Sequence, residues 1–238
     1  MSGERSGSPL GGAILGGVVG AVLTLAAVLV AAQAGLFDGV VRNSLIRQPE
    51  VLIQTADLLR DKQMAPLVEQ HRAALETPFG SSWEGSPNPD VTLVEFYDYA
   101  CGYCRASLPI INRLVREDPK LRVVYREFPI LGPESEAAAR LALVASKAGR
   151  FGQFHDALYA AGRPSSETLA QAAAAAGIPA QPQQSPEIDT ELKRNFQIAG
   201  ALGASGTPLF IVGDRVFNGA VGYEALKQAI AEARASKG

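Results

Sequence analysis

The sequence is poor in the residues on which several protein classes depend. Its 238 residues include two cysteines and two histidines, which argues against a disulfide-rich scaffold and leaves little for a zinc cage. Lysine and arginine total 22 against 24 acidic residues, with no block of one sign. This balance argues against nucleic acid as a partner, because phosphates require a basic face. An apolar fraction of 47% argues against a disordered chain.

The first feature along the chain is a long apolar run. No charged residue occurs between Arg5 and Asp38, and residues 10–33 are almost wholly Gly, Ala, Val, Leu and Ile. About 20 such residues span a bilayer core. The run therefore predicts a membrane-inserting helix. We expect it to be retained as an anchor, because it is longer than a cleaved signal usually is. The small side chains around Gln33 leave cleavage near Ala34 as the alternative.

A short helical segment is predicted at residues 37–79. Pro49 suits the first turn of a helix, whereas Pro66 is expected to break or kink it before a further short helix at Leu67–Leu75. Helices of this length bury too little surface to stay folded alone. We therefore predict that residues 37–79 are an oligomerisation domain. The alternative is that they dock onto the main domain of their own chain.

Residues 80–89 contain three serines, two glycines and two prolines, a composition typical of a linker. Within this segment Trp83 is predicted to be a packing anchor, because large aromatic side chains mostly bury area.

The main domain, residues 90–238, alternates between strand and helix patterns. Strands are predicted at Val91–Tyr97 and Leu121–Phe128, with a helix at Cys104–Glu117 between them. Strand, helix and strand in this order form a βαβ unit with parallel strands. An alanine-rich helical insertion follows at about 133–202. Two further strands and a closing helix are predicted at Leu209–Val212, Arg215–Asn218 and Tyr223–Ala235. The fold class is therefore α/β.

The two cysteines form the motif Cys101-Gly102-Tyr103-Cys104, where the first strand gives way to a helix. This spacing brings both sulfur atoms within reach of a disulfide bond. The free N–H groups at the start of a helix favour an anion, so Cys101 is predicted to be the attacking thiolate and Cys104 the resolving thiol. A CxxC motif in a βαβ unit is typical of a thioredoxin-like redox site.

Residues 94–104 resemble the active-site run of the DsbA-like thiol–disulfide oxidoreductases, and Gly206-Thr207-Pro208 before a strand resembles their cis-proline loop. Residues 45–64 are similar to the N-terminal domain of the suppressor-of-copper-sensitivity protein C (ScsC) subfamily. The resemblance implies a thioredoxin fold with an inserted helical subdomain. It also implies that the preceding helical segment assembles the chain into a trimer.

The resemblance also implies a role for each matching residue. Cys101 is the nucleophile and Cys104 the resolving cysteine. Pro208 is the cis-proline, and Thr207 before it pairs with extended substrate backbone. Glu95 is a buried acid that takes the proton of Cys104. The alternative reading of Glu95 is a carboxylate at the rim of the site with no role.

Gly102 and Tyr103 are predicted to tune the redox equilibrium. Strongly oxidising members of the family place a histidine between the cysteines, whereas these two residues carry no charge. The disulfide is therefore expected to be less strongly oxidising, which leaves oxidase, isomerase and reductase activities open. No cofactor is expected beyond the redox-active pair Cys101–Cys104.

The expected substrates are exported proteins with thiols or disulfides, and a membrane redox partner is expected to reset the site. The expected location is the periplasmic side of the bacterial inner membrane, since an N-terminal membrane segment and no further cysteines suit an oxidising compartment. Two alternatives remain from the sequence. One is a monomeric DsbA-like oxidase. The other is a copper-tolerance module that binds Cu(I) through the CxxC thiolates.

Overall fold

The computed structural model describes residues 38–181 and 185–236, together with Thr24, Leu25, Val30 and Gly35. Its contacts divide the chain after Leu58 into two compact units. Among the described residues, no helix is long and apolar enough to cross a membrane. The membrane helix predicted at residues 10–33 falls almost wholly outside the described part of the chain.

The first unit contains helix α1 (Asp38–Arg47) and the beginning of helix α2 (Pro49–Glu76). Pro49 opens α2, as predicted, where its missing N–H would have no partner. The prediction that Pro66 breaks the helix is wrong, because α2 continues through it to Glu76. Pro66 is exposed, so water can hydrate the carbonyl that its ring leaves without a helical partner.

The second unit is built on a mixed sheet with the strand order β1-β3-β2-β4-β5. The strands are β1 (Trp83–Gly85), β2 (Val91–Tyr97), β3 (Leu121–Glu127), β4 (Leu209–Val212) and β5 (Arg215–Asn218). The remaining helices are α3 (Gly102–Glu117), α4 (Pro133–Lys147), α5 (Phe151–Ala161), α6 (Ser166–Ala176), α7 (Pro186–Ala201) and α8 (Tyr223–Ala235). Strands β2 and β3 are parallel and α3 connects them, which confirms the predicted βαβ unit. The helices α4–α7 form the predicted insertion.

Alternation along the strands divides the core between the two faces of the sheet. Leu93, Tyr97 and Tyr125 face one core cluster, with α3, α5 and α8. The neighbouring residues Val94 and Val124 face a second cluster, which includes side chains of α2 and α7. Every residue of β2 is buried, because both faces of this central strand are covered.

Residues 80–89, predicted to be a linker, are instead built into the sheet. Strand β1 pairs antiparallel with β3, and the flanking Ser82 and Ser86 are buried. Trp83 packs against the second core cluster, as predicted, and the Arg122 guanidinium lies 4.8 Å from its ring centre. Gly85 has a φ of 88°, and a Cβ there would collide with the Leu121 carbonyl.

The end of α2 is fastened to the sheet by a buried arginine. Arg126 of β3 pairs with Glu191 of α7 at 2.6 Å, and both side chains are 1% exposed. The same guanidinium donates hydrogen bonds to the carbonyls of Ala74, Leu75 and Thr77. These carbonyls lie at the helix end, where the last turn has no intrahelical donors. Residues 59–76 therefore belong to the same compact unit as the sheet.

Candidate active site

The two cysteines lie at the start of α3. Cys101 immediately precedes the helix and is 7% exposed, whereas Cys104 in the first turn is 1% exposed. Both are free thiols. No side chain caps this end of α3, so its backbone N–H groups are left to favour an anion beside Cys101. The sulfur atom of Cys101 is therefore the more accessible of the two, whereas that of Cys104 is buried.

The loop before β4 contacts the first of these cysteines. The Thr207–Pro208 peptide bond is cis, as the resemblance implied. The Cys101 thiol donates a hydrogen bond of 3.3 Å to the Thr207 carbonyl. The structure therefore brings Cys101, Thr207 and Pro208 together from positions more than 100 residues apart.

A buried carboxylate holds the loop in front of the cysteines. Asp98 accepts hydrogen bonds from the backbone N–H groups of Ala100 at 2.8 Å, Ile130 at 2.8 Å and Leu131 at 2.9 Å. Its own carbonyl accepts a hydrogen bond from the Cys101 N–H at 3.0 Å. Asp98 thus ties the approach to α3 to the loop that follows β3.

Glu95 lies in the middle of β2, close enough to Cys101 and Cys104 to interact electrostatically with both. It is 2% exposed, so the rim position that we considered as an alternative is wrong. Burial raises the pKa of Glu95 well above its usual value, and the charges of Glu84 and Cys101 raise it further. Its Oε1 atom has no hydrogen-bond partner within the described part of the chain. Glu95 is therefore an unsatisfied acid whose proton affinity is increased.

The thiol of Cys104 is also affected by its surroundings. Burial raises its pKa, and the nearby Glu95 carboxylate raises it further. Hydrogen bonds with Asp98 and Thr207 act in the opposite direction. The net effect is that Cys104 holds its proton at neutral pH, so it needs a base before it can act as a nucleophile.

Sequence reasoning missed a second buried acid in the same core. Glu127 at the end of β3 accepts a hydrogen bond from the Tyr97 hydroxyl, and burial raises its pKa well above the usual range. The Tyr97 and Tyr99 hydroxyls are 3.1 Å apart, and Tyr99 lies 3.1 Å from Nδ1 of His155. Strand alternation could have found Glu127, since it places this residue on the face of Tyr125.

His155 is a buried residue of helix α5. Burial lowers its pKa to about 3, so its imidazole is neutral. Its ring lies among the aromatic side chains of the core, with ring centres 4.7 Å from Tyr125 and 4.8 Å from Tyr159. His155 is linked to the CxxC motif through Tyr99, which lies two residues before Cys101.

The surface around Cys101 is partly apolar. Tyr103, inside the motif, is 69% exposed, and Ile130 and Leu131 in the loop tied to Asp98 are 39% and 50% exposed. No group of three or more His, Cys, Asp or Glu side chains that could hold a metal ion occurs in the described ranges. The apolar surface suits contact with a polypeptide.

Comparison with known proteins agrees with this geometry. The family model of the DSBA-like thioredoxin domain matches residues 92–231. A periplasmic thioredoxin-like protein from Salmonella enterica serovar Typhimurium is 30% identical, with 69% of this chain and 95% of that chain covered and a TM-score of 0.63. A linker-deletion mutant of ScsC from Proteus mirabilis is 25% identical, with 87% and 97% covered and a TM-score of 0.67.

A curated relative of a different kind also matches. The Na(+)/H(+) antiporter NhaA 3 of Salinispora tropica is 29% identical over 161 residues, which are 64% of this chain. The chain spans about a quarter of the length of the curated relatives it matches.

Proposed function

Because the chain belongs to the DSBA-like thioredoxin domain family, we propose that it is a thiol–disulfide oxidoreductase that acts through Cys101 and Cys104. The observation that supports this most is the position of the Cys101 thiol. It lies at an uncapped helix start, 3.3 Å from the Thr207 carbonyl, with Cys104 one turn deeper. The start of a helix stabilises a thiolate. The backbone of an extended substrate can pair with the loop at Thr207 beside it.

The reaction follows from the two sulfur positions. The Cys101 thiolate attacks a substrate disulfide, forms a mixed disulfide and releases one substrate sulfur, which takes up a proton. Cys104 then gives its proton to Glu95, and the resulting thiolate attacks Cys101. The second substrate sulfur leaves and is protonated, so the substrate is reduced and Cys101–Cys104 is oxidised. The reverse sequence oxidises a substrate dithiol.

The proposed substrates are exported proteins, and the proposed activity is isomerase or oxidase. A periplasmic relative at 30% identity supports an extracytoplasmic location. Gly102 and Tyr103 add no charge beside the cysteines, which supports a disulfide less oxidising than one flanked by histidine. We propose further that a membrane redox partner resets the site and that no bound cofactor takes part.

We also propose that the first unit assembles the protein into a trimer. In the parts of α1 and α2 that belong to this unit, the large apolar side chains of Ile46, Val51, Leu52 and Leu58 are exposed. Exposed apolar side chains grouped along helices favour self-association. An oligomer would hold several Cys101 sites together, and recapture of a released substrate at high effective concentration favours isomerisation.

The proposed activity is tested by two assays at a fixed glutathione ratio, namely insulin reduction and refolding of scrambled ribonuclease. The reduced protein is titrated with Cu(I) in parallel. We expect exchange in at least one assay, with complete loss in Cys101→Ala. Stoichiometric Cu(I) uptake without exchange in either assay would replace the oxidoreductase by the copper-binding alternative.

A further inference from the structure

A buried base that takes a proton in every cycle must also return it. Glu95 is 2% exposed and Oε1 has no hydrogen-bond partner among the residues described, so its proton has no direct way to water. This inference rests on the proposed role of Glu95 in accepting the proton of Cys104. A neighbouring group must therefore complete the path of this proton to solvent.

The sheet itself arranges a row of polar side chains from Glu95 to its edge. Glu95 of β2 is the register partner of Tyr125 in β3, and paired residues point to the same face. Glu84 of β1 is paired with Val123, which lies on that face two residues before Tyr125. Glu95, Tyr125 and Glu84 therefore lie on one face of three adjacent strands, in that order.

A hydrogen bond links the outer two members of this row. The Tyr125 hydroxyl donates to Oε1 of Glu84 at 2.5 Å. Tyr125 is buried, whereas Glu84 is only half-buried, in a strand of three residues at the edge of the sheet. The row thus runs from a fully buried carboxyl group to one in contact with solvent.

We propose that Glu84, held by Tyr125, is the group through which Glu95 exchanges its proton with water. Glu95 first takes the proton of Cys104. The proton then passes to the Glu84 carboxylate as the Tyr125 hydroxyl gives up its own proton to Glu84 and receives that of Glu95. Glu84 releases the proton to water, and Glu95 returns to the carboxylate. When the enzyme is reduced, the same steps run in reverse.

The charged and titratable groups around the row are consistent with this order. Glu84 is faced by Tyr125 from β3, by Asp156 from α5 and by Glu95 from β2. Burial raises the pKa of Glu84, the hydrogen bond from Tyr125 lowers it and Asp156 raises it; the net direction is upward, which favours proton uptake. The other titratable groups that interact with Glu95 are Cys101, Cys104, Tyr99, Glu127 and Tyr159. None of these is exposed, so among them none replaces Glu84 as an outlet.

The experiment measures how fast Cys104 resolves a preformed mixed disulfide at Cys101, as a function of pH and buffer concentration. We expect Glu84→Gln, which cannot take up a proton, to slow this step by about tenfold or more at low buffer concentration. In Glu84→Ala, added formate should restore the rate, whereas the wild-type rate should not respond to formate. Glu84→Asp should keep most of the wild-type rate.

The matched control is Glu117→Gln, which also loses a carboxylate that accepts a hydrogen bond from a tyrosine, Tyr223, but at the far end of α3. The proposal is overturned if Glu84→Gln keeps the wild-type rate and pH profile, or if formate leaves Glu84→Ala slow. The variant Glu95→Gln distinguishes a failure of the proposed role of Glu95 from a failure of the proposed outlet through Glu84. If it too resolves at the wild-type rate, the proposed role of Glu95 fails; if only the Glu84 variants behave as wild type, that role stands without this outlet.

Discussion

At the scale of single residues, the site depends on carboxyl groups buried where charge is costly. Glu95 was predicted from the sequence, because it lies six residues before Cys101 in the run that resembles the family. Glu84 was not predicted, since its position depends on a strand register that the sequence does not state, whereas Glu127 was missed although alternation along β3 places it on the face of Tyr125. A register shift of one residue would turn the Glu84 side chain to the opposite face.

Replacing Glu95 by glutamine should change the pH dependence of the resolution step. Only the carboxylate accepts a proton, and burial raises the pKa of Glu95. The wild-type rate should therefore fall as the pH falls through that raised pKa, whereas the rate of Glu95→Gln should be lower by about 100-fold at neutral pH and lack this dependence. Single-turnover release of substrate from the mixed disulfide, followed as a function of pH, measures the rate and its pH dependence for the wild-type protein and the variant. A wild-type pH profile in the variant would remove Glu95 from the mechanism.

Replacing Tyr103 by histidine should make the disulfide more oxidising. Tyr103 is 69% exposed, so the change adds a donor beside Cys101 without disturbing the core. A protonated imidazole stabilises the thiolate of the reduced form, and we expect a rise of about 30 mV or more in reduction potential. Equilibration with glutathione measures the potential. Tyr103→Phe, which adds no charge, is the control, and equal potentials in the two variants would contradict the argument.

At the scale of elements, helix and strand positions in the second unit were largely predictable. The predicted strands at Leu209–Val212 and Arg215–Asn218 match β4 and β5, because β-branched and aromatic runs surround a Gly-Asp turn. Strand β1 was not predicted, and α2 was wrongly predicted to break at Pro66. A strand of three residues is too short to show an alternating pattern. A proline on the exposed face of a helix need not end it, because water can hydrate the carbonyl group that lacks a helical hydrogen bond.

The buried arginine that fastens α2 should be among the most sensitive positions in the fold. Arg126→Leu leaves the buried Glu191 carboxylate paired only with the half-exposed Arg194 and removes the donors to the end of α2, so we expect a loss of about 3 kcal/mol in the free energy of unfolding. Lys147→Ala breaks an exposed ion pair with Glu187 and should cost less than about 1 kcal/mol. Urea denaturation compares the two variants, and equal losses would contradict the anchoring role of Arg126.

At the scale of the whole molecule, the sequence predicted an appendage before the thioredoxin fold but misjudged where it ends. The composition of residues 80–89 indicated a linker, yet these residues contain β1, and the chain divides after Leu58 inside α2. The carboxyl-terminal part of α2 buries Val68 and Leu75 in the core. Composition does not reveal such contacts, because they depend on where the helix lies on the folded sheet.

The proposed oligomer is tested by comparing fragments that respect this division. A fragment that begins at Asp38 should be trimeric by light scattering, whereas one that begins at Leu59 keeps the second unit and should be monomeric. Leu52 is 54% exposed, and Leu52→Glu should dissociate the longer fragment by placing like charges together. Equal masses for the two fragments would remove the first unit from assembly and weaken the argument for isomerase activity.

The central claim, that Cys101 attacks and Cys104 resolves, is tested most directly by covalent trapping. The wild-type protein, Cys101→Ala and Cys104→Ala are each mixed with a disulfide-containing substrate, quenched in acid and examined by mass spectrometry. We expect Cys104→Ala to accumulate a mixed disulfide at Cys101, because release requires the second thiol. The wild-type adduct should be transient, and Cys101→Ala should form none. Retained turnover in Cys101→Ala, or an adduct on Cys104 alone, would contradict the account.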